Sequence, residues 1–219
     1  MIYVYGDTHG GHDSHTIFNA PFTDKDVLVI LGDFGYLWDN SDNERTKLKR
    51  LIKRLPCTLA FLDGNHENHH LLAKLPREEK WGNSVGNYLG CYHLLRGNIY
   101  NIQNNKVLVI GGAASSDKLH RIVGKSWWPE ELLSVGEINH TLDNKDLEVD
   151  FVLTHTAPEN IIQRMNYRPN DPVSQFLTHI QEIATFKEWH FGHMHEDRQI
   201  LDKYFCHYNG NPMPLIKGE

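Results

Sequence analysis

Apolar residues fall along this chain in two alternating patterns: short unbroken runs, and longer stretches in which they recur at helical spacing. Five runs stand out, at residues 2–5, 27–31, 58–62, 151–154 and 189–191, and each reads as a strand. Residues 41–54 predict a helix: Leu48, Leu51, Ile52 and Leu55 share one face, Ser41 is placed to cap it with Glu44 at the capping-box position, and Pro56 ends it. A shorter helix is expected over residues 12–19, closed by Pro21, and another after Asn65 and His66, with Leu71, Leu72 and Leu75 as its stripe. Residues 80–90 are rich in Gly and Asn and read as a loop. Short strands follow at 92–95, 99–103 and 106–110, the last two joined by a tight hairpin at Asn104-Asn105. Helices are predicted over 158–165 and 173–186 with a proline-rich joint at 168–172, and two closing strands within 198–208 turn at Asp202-Lys203. Residues from Pro212 onward are expected to be loose. Strands alternating with helices indicate an α/β domain, taken as one unit over residues 1–219.

The runs matter for what they end in. The first leads into Gly6-Asp7-Thr8-His9-Gly10, the second into Gly32-Asp33-Phe34-Gly35, and the third, through Asp63, into Gly64-Asn65-His66-Glu67. The fourth ends at His155 and the fifth at Gly192-His193-Met194-His195. Every run therefore delivers Asp, Asn or His at its carboxyl end, which is where open α/β sheets build their sites. A carboxylate and an imidazole two residues apart, between glycines that let the backbone turn, can share one cation. Oxygen and imidazole donors without thiolate suit Mn, Fe, Zn or Co.

Composition narrows the partners. With 40% hydrophobic and 23% charged residues and no apolar run of membrane-spanning length, the chain is expected to be soluble. Its net charge of −6 disfavours a general grip on nucleic acid. The N-terminus begins as a strand without a preceding basic region, so no signal peptide is expected and the cytoplasm is the default location. Cys57, Cys91 and Cys206 are widely spaced, form no C-x-x-C pair, and read as buried thiols. Of the 15 histidines, His12 and His69 are the two outside the motifs closest to them, and so candidates for lining a pocket.

Taken together and in order, Gly-Asp-x-His-Gly, Gly-Asp-x-x-Gly, Gly-Asn-His-Glu, a lone His and Gly-His-x-His resemble the calcineurin-like metallophosphoesterase family. The resemblance implies two packed mixed β-sheets flanked by helices, an αββα sandwich, with two metal ions at the strand ends. Mn is favoured, with Fe, Zn and Co also compatible. Carried over by motif, Asp7, His9, Asp33 and His195 hold one ion, and Asp33, Asn65, His155 and His193 hold the other, with Asp33 as the bridge. A hydroxide shared by the metals then attacks phosphorus, and His66 matches the catalytic histidine that assists the leaving oxygen. Glu67 is a candidate to orient an imidazole. The implied function is hydrolysis of a small phosphomonoester or phosphodiester, with a non-catalytic scaffold of the same fold as the alternative. A nuclease, which would want a basic groove, is disfavoured, and the oligomeric state is left open.

The arginines that grip phosphate in the protein-phosphatase branch of that family are missing here, since Phe34 follows Asp33 and Asp63 precedes Gly64. Lys118, Arg121 or Arg96 are candidate substitutes. The segment from Ser115 to Glu131 is the most individual part of the chain, and two readings stand for it. In one it is a substrate-facing loop, with Lys118, Arg121 and Lys125 on phosphate and Trp127 and Trp128 stacked on a base or sugar. In the other, the Trp pair before Pro129 pins the segment to the body, and residues 130–139 form a helix. Arg164 and Arg168 are further candidates for the pocket.

Overall fold

The apolar runs are unbroken because both faces of each strand are buried. In the computed structural model, which describes residues 1–144 and 147–215, Ile2 and Val4 of β1 (Ile2–Tyr5) enter one apolar layer while Tyr3 and Tyr5 enter another. The next strands, β2 (Val27–Leu31) and β3 (Thr58–Leu62), split the same way, with Val29 and Ala60 on one side and Leu28 and Phe61 on the other. So do β8 (Asn105–Ile110) and β9 (Phe151–Thr154): Val107, Val109, Phe151 and Leu153 join the layer of Ile2, whereas Leu108, Ile110 and Val152 face away from it. That shared layer lies between two sheets packed face to face.

The first sheet has seven strands in the order β13-β1-β2-β3-β6-β5-β4, where β4 is Arg77–Lys80, β5 Asn83–Tyr88, β6 Cys91–Leu94 and β13 Met213–Leu215. The second has six, β11-β12-β10-β9-β8-β7, with β7 Ile99–Ile102, β10 Glu188–Phe191, β11 Arg198–Ile200 and β12 Tyr204–Cys206. Strands β1, β2, β3 and β6 pair in parallel, as do β8, β9, β10 and β12, while the outer pairs are antiparallel. Parallel pairing puts the carboxyl ends of the strands that lead into the candidate ligands on a common edge. Helix α1 (Asp42–Arg54) covers the outer face of the first sheet through Leu48 and Leu51. Helices α4 (Glu159–Arg164) and α5 (Pro172–Ile183) cover that of the second, so the mixed-sheet αββα sandwich is observed. Among the described residues no helix is long and apolar enough to cross a membrane.

Several local expectations are corrected. Residues 12–19 form turns, after a single 3-10 turn at His9–Gly11. Only His69–Leu72 (α2) is helical beyond Asn65, with Asn68 capping it. The Gly- and Asn-rich stretch at 80–90 is largely strand, because β4 and β5 pair across a turn at Trp81 and Gly82, both at positive φ, and β6 supplies the next partner. The hairpin between β7 and β8 turns at Gln103 and Asn104, one residue earlier than predicted. Residues 130–139 do not make one helix: a 3-10 turn at Pro129–Glu131 precedes α3 (Val135–Leu142), whose capping box is Ser134 with Glu137. Met213–Leu215 is not loose but adds to β1, since the edge of that strand offers unpaired backbone groups. Residues 216–219 lie outside the described residues.

Candidate metal centre

The predicted ligands meet where the carboxyl ends of the parallel strands come together. Asp7, His9 and His195 offer ligand atoms within 4.8 Å of one another, and so do Asp7, Asp33 and His155. Asn65 Oδ1 lies 3.1 Å from His155 Nε2, and the ring centroids of His155 and His193 are 4.8 Å apart. These two contacts attach the remaining candidates to the second group. The backbone is bent to achieve this: φ is 43° at His9, 45° at Asp33, 66° at His193 and 52° at His195. Residues with a Cβ seldom take up that left-handed conformation, and its clustering at one place marks a functional site. The first two loops hold each other in shape, Thr8 N and His9 N donating to Asp33 O and Gly10 N to Phe34 O. Gly64 and Gly192 leave the space required, because a Cβ on either would fall on the carboxylate of Asp33 or Asp7 respectively.

The imidazoles are oriented by partners outside the cluster. His155 Nδ1 donates to Leu31 O at 2.8 Å, a bond that also ties the second sheet to the first, and its Nε2 is left facing Asp33 Oδ1 at 3.4 Å. His9 Nδ1 donates to Asp13 Oδ2 at 2.7 Å, which turns Nε2 toward Asp33 Oδ2 at 3.4 Å. This is the way metal-binding histidines are held. His195 stacks on Tyr208, with centroids 4.5 Å apart and planes 5° from parallel. Burial opposes charge on His9, but the carboxylates of Asp33, Asp7 and Asp13 outweigh it and raise the group to about 9. His193 is pushed down to about 3 by burial and by His155, so its ring is neutral with a lone pair to offer.

This donor set fits divalent cations. Asp7 and Asp33 are 0% and 1% exposed, and among the described residues no Lys or Arg pairs with either. Backbone N–H groups hold only one oxygen of each, His193 N on Asp7 Oδ1 and His66 N on Asp33 Oδ1. Asp7 Oδ2 has no hydrogen-bond partner although His195 Nε2 lies 3.1 Å away, so the two atoms are close but not aligned for a hydrogen bond. Two buried carboxylates side by side call for positive charge between them.

Around the cluster the other predicted residues separate. His66 is half-buried at the rim, its ring 5.7 Å from that of His9. Arg121 Nη2 reaches within 3.1 Å of both His66 ring nitrogens while its Nε holds Asp117 at 2.8 Å. Lys118 and Arg168 line a cleft of about 300 Å³ together with His193, Tyr167 and Asp171. Trp127 and Trp128 do not line that cleft. Trp128 is 1% exposed and packs edge-on against Trp38, the contact expected of a pinning residue, whereas Trp127 is joined through its backbone to Val123 within its own loop.

Arg96 is no phosphate ligand either. It is buried on Asp63, with Nε donating at 2.8 Å, and it also donates to the carbonyls of Glu130 and Leu132. Glu67 orients no imidazole: it accepts from Phe34 N at 2.6 Å and so clamps the loop after Asp33. Lys125 and Arg164 are exposed away from the cleft, and His69 and His12 line separate cavities. Asp13, Tyr208 and Ser115 are site residues that the sequence reading missed. Asp13 alone carried a signal, four residues beyond His9.

No curated protein matches the chain. The family model for calcineurin-like phosphoesterase matches residues 1–197. That span takes in every strand and turn carrying a candidate ligand, and the chain belongs to the calcineurin-like phosphoesterase family.

Proposed function

We propose that this chain is a two-metal phosphoesterase that cleaves a small phosphomonoester or phosphodiester. The observation that carries this reading is the buried pair Asp7 and Asp33, unpaired with any Lys or Arg among the described residues and ringed by His9, His155, His193, His195 and Asn65. Asp7, His9, Asp33 and His195 are assigned to one cation, and Asp33, Asn65, His155 and His193 to the other. Asp7 belongs to both geometric groups. Asp33 is nevertheless preferred as the bridge, because each of its oxygens faces an imidazole of a different set. When bound, the two ions supply Lewis-acid stabilisation of the phosphoryl oxygens and lower the pKa of water toward neutrality.

The remaining roles fall to the chain itself. His66 is kept below the usual imidazole range by burial, then by Arg121 and the neighbouring imidazoles, against the pull of Asp33. A neutral ring at that rim donates its N–H to the leaving oxygen and steadies the charge that develops there. Arg121 stands beside it with a guanidinium for a phosphoryl oxygen. Lys118 and Arg168 give the adjoining cleft a cationic rim for the rest of the substrate. A reducing compartment, the cytoplasm, accords with three free buried cysteines. The chain retains every motif ligand and His66, which favours an enzyme over a scaffold.

The test is hydrolysis of chromogenic monoester and diester substrates by Mn-loaded protein. Chelator is expected to abolish turnover, Asp33→Asn to remove it, and His66→Ala to lower kcat by about 10²–10⁴-fold. Fully loaded protein that turns over neither class would sink the proposal.

A further inference from the structure

The side chain of Asn65 has two nearly isosteric faces, and only one of them can meet a cation. Its oxygen has lone pairs; its NH₂ group has none and points hydrogens outward. What decides between them lies fifty residues away in the chain. Asn65 Nδ2 is 3.0 Å from Ser115 Oγ, and Ser115 Oγ is 2.6 Å from Glu131 Oε2. A carboxylate only accepts, so the single hydroxyl hydrogen of Ser115 goes to Glu131. The lone pair left on Oγ must then receive a donor, and the NH₂ of Asn65 is the only end of that amide able to provide one. The other oxygen of Glu131 is occupied as well, by Ser115 N at 2.9 Å. Asn65, Ser115 and Glu131 are 3%, 4% and 1% exposed, so bulk water does not compete.

We propose that Ser115 and Glu131 are positioning residues that fix the Asn65 amide with its oxygen turned to the His155 side of the site. This rests on the two-metal reading above for its functional meaning, though not for its geometry. It also gives the segment from Ser115 to Glu131 a purpose beyond substrate contact. Buried Trp128 and the bonds from Arg96 Nη2 to the carbonyls of Glu130 and Glu131 seat the Glu131 backbone. Gly112 N on Asp63 O seats the strand end that leads to Ser115. The neck of the loop is thereby closed by the same hydrogen bonds that aim the ligand.

Glu131→Gln makes a sharp test because it changes polarity and hardly any volume. Ser115 N–H still needs an acceptor, so the introduced amide turns its oxygen there and its NH₂ to Ser115 Oγ. The hydroxyl is then free to donate to Asn65, whose oxygen swings away from the ligands. Ser115→Ala simply releases the amide. In metal-free protein, the side-chain amide signals of Asn65 in ¹H–¹⁵N spectra are expected to shift and lose exchange protection in both variants, with the remaining spectrum and the thermal melt reporting the fold. In calorimetric titration with Mn, one of two bound ions, the one assigned to Asn65, is expected to lose about 10–100-fold in affinity while the other is unchanged. If Ser115→Ala does not fold, the isosteric Glu131→Gln variant decides alone. Unchanged amide signals, or two ions bound as tightly as before, overturn the proposal. Shifted amide signals in a protein that never takes a second ion support the orienting role and overturn the two-metal reading instead.

Discussion

The strain at this site sits on single residues. His9, Asp33, His193 and His195 all hold positive φ, a conformation that costs of order 1–3 kcal/mol at each non-glycine position, and two glycines leave the space in which their side chains meet. Gly64→Ala is expected to press a methyl group onto the Asp33 carboxylate and His155. Mn affinity measured by calorimetry should fall by about 10-fold or more, although Gly64 is not itself a ligand. Asp63, one residue earlier, works by charge. Burial opposes its ionised form, but the Arg96 guanidinium and His93 hold its carboxyl far below the usual range. Asp63→Asn leaves Arg96 buried against a neutral amide and should cost about 3 kcal/mol or more in urea unfolding; a loss under about 1 kcal/mol would contradict that account. The candidate ligands that meet at the site were legible residue by residue because their types suit that chemistry. Asp13, Tyr208, Ser115 and Glu131 were not, since an ordinary polar or aromatic residue gains its role only from what lies beside it.

Among the elements, α1 shows how a correct sequence reading can name the wrong contact. Ser41 does cap the helix, accepting from Glu44 N at 3.3 Å, but the Glu44 carboxylate does not return the bond. It turns outward and collects the N–H groups of Trp38, Asp39 and Asn40 at 2.8–3.0 Å. Glu44→Ala should therefore destabilise the protein by about 2 kcal/mol, against about 1 kcal/mol for Ser41→Ala, as read from chemical unfolding. A loss for Glu44→Ala no larger than that for Ser41→Ala would count against this account. The loop that Glu44 holds carries Trp38, on which Trp128 packs, so this cap also supports the segment bearing Glu131. Strands with continuous apolar character were legible because both faces are buried. Strand β4, Arg-Glu-Glu-Lys at the sheet edge with three residues exposed, was not, because its only structural cause is the partner strand β5.

At the scale of the whole molecule, histidines outside the site make the fold sensitive to acid. Burial, against the pull of Asp63 and with Arg96 and His93 adding to it, brings His69 to about 4 from an ordinary 6.5, and burial likewise lowers His190 and His207, which contact each other at 3.0 Å. Folded-state values below the unfolded one mean that the unfolded chain binds more protons. The contribution of these three rings is therefore complete above about 6.5 and is lost as pH falls, by up to about 1.4 kcal/mol per unit for each ring that stays neutral. Urea unfolding in chelator at about pH 7.5 and about pH 5, on either side of the unfolded value, should show the decline, and His207→Gln should flatten it; equal slopes would count against these imidazoles. The sequence by itself determined the five continuously apolar strands, the order in which they deliver candidate ligands, and the types of those residues, because burial on both faces and metal chemistry each restrict residue choice locally. Only the tertiary structure decided which oxygen or nitrogen of each candidate ligand faces the site, that Ser115 and Glu131 stand behind Asn65, and that Arg121 rather than Arg96 stands by His66. Those outcomes depend on hydrogen bonds between residues far apart in the chain, and no local pattern encodes such partners.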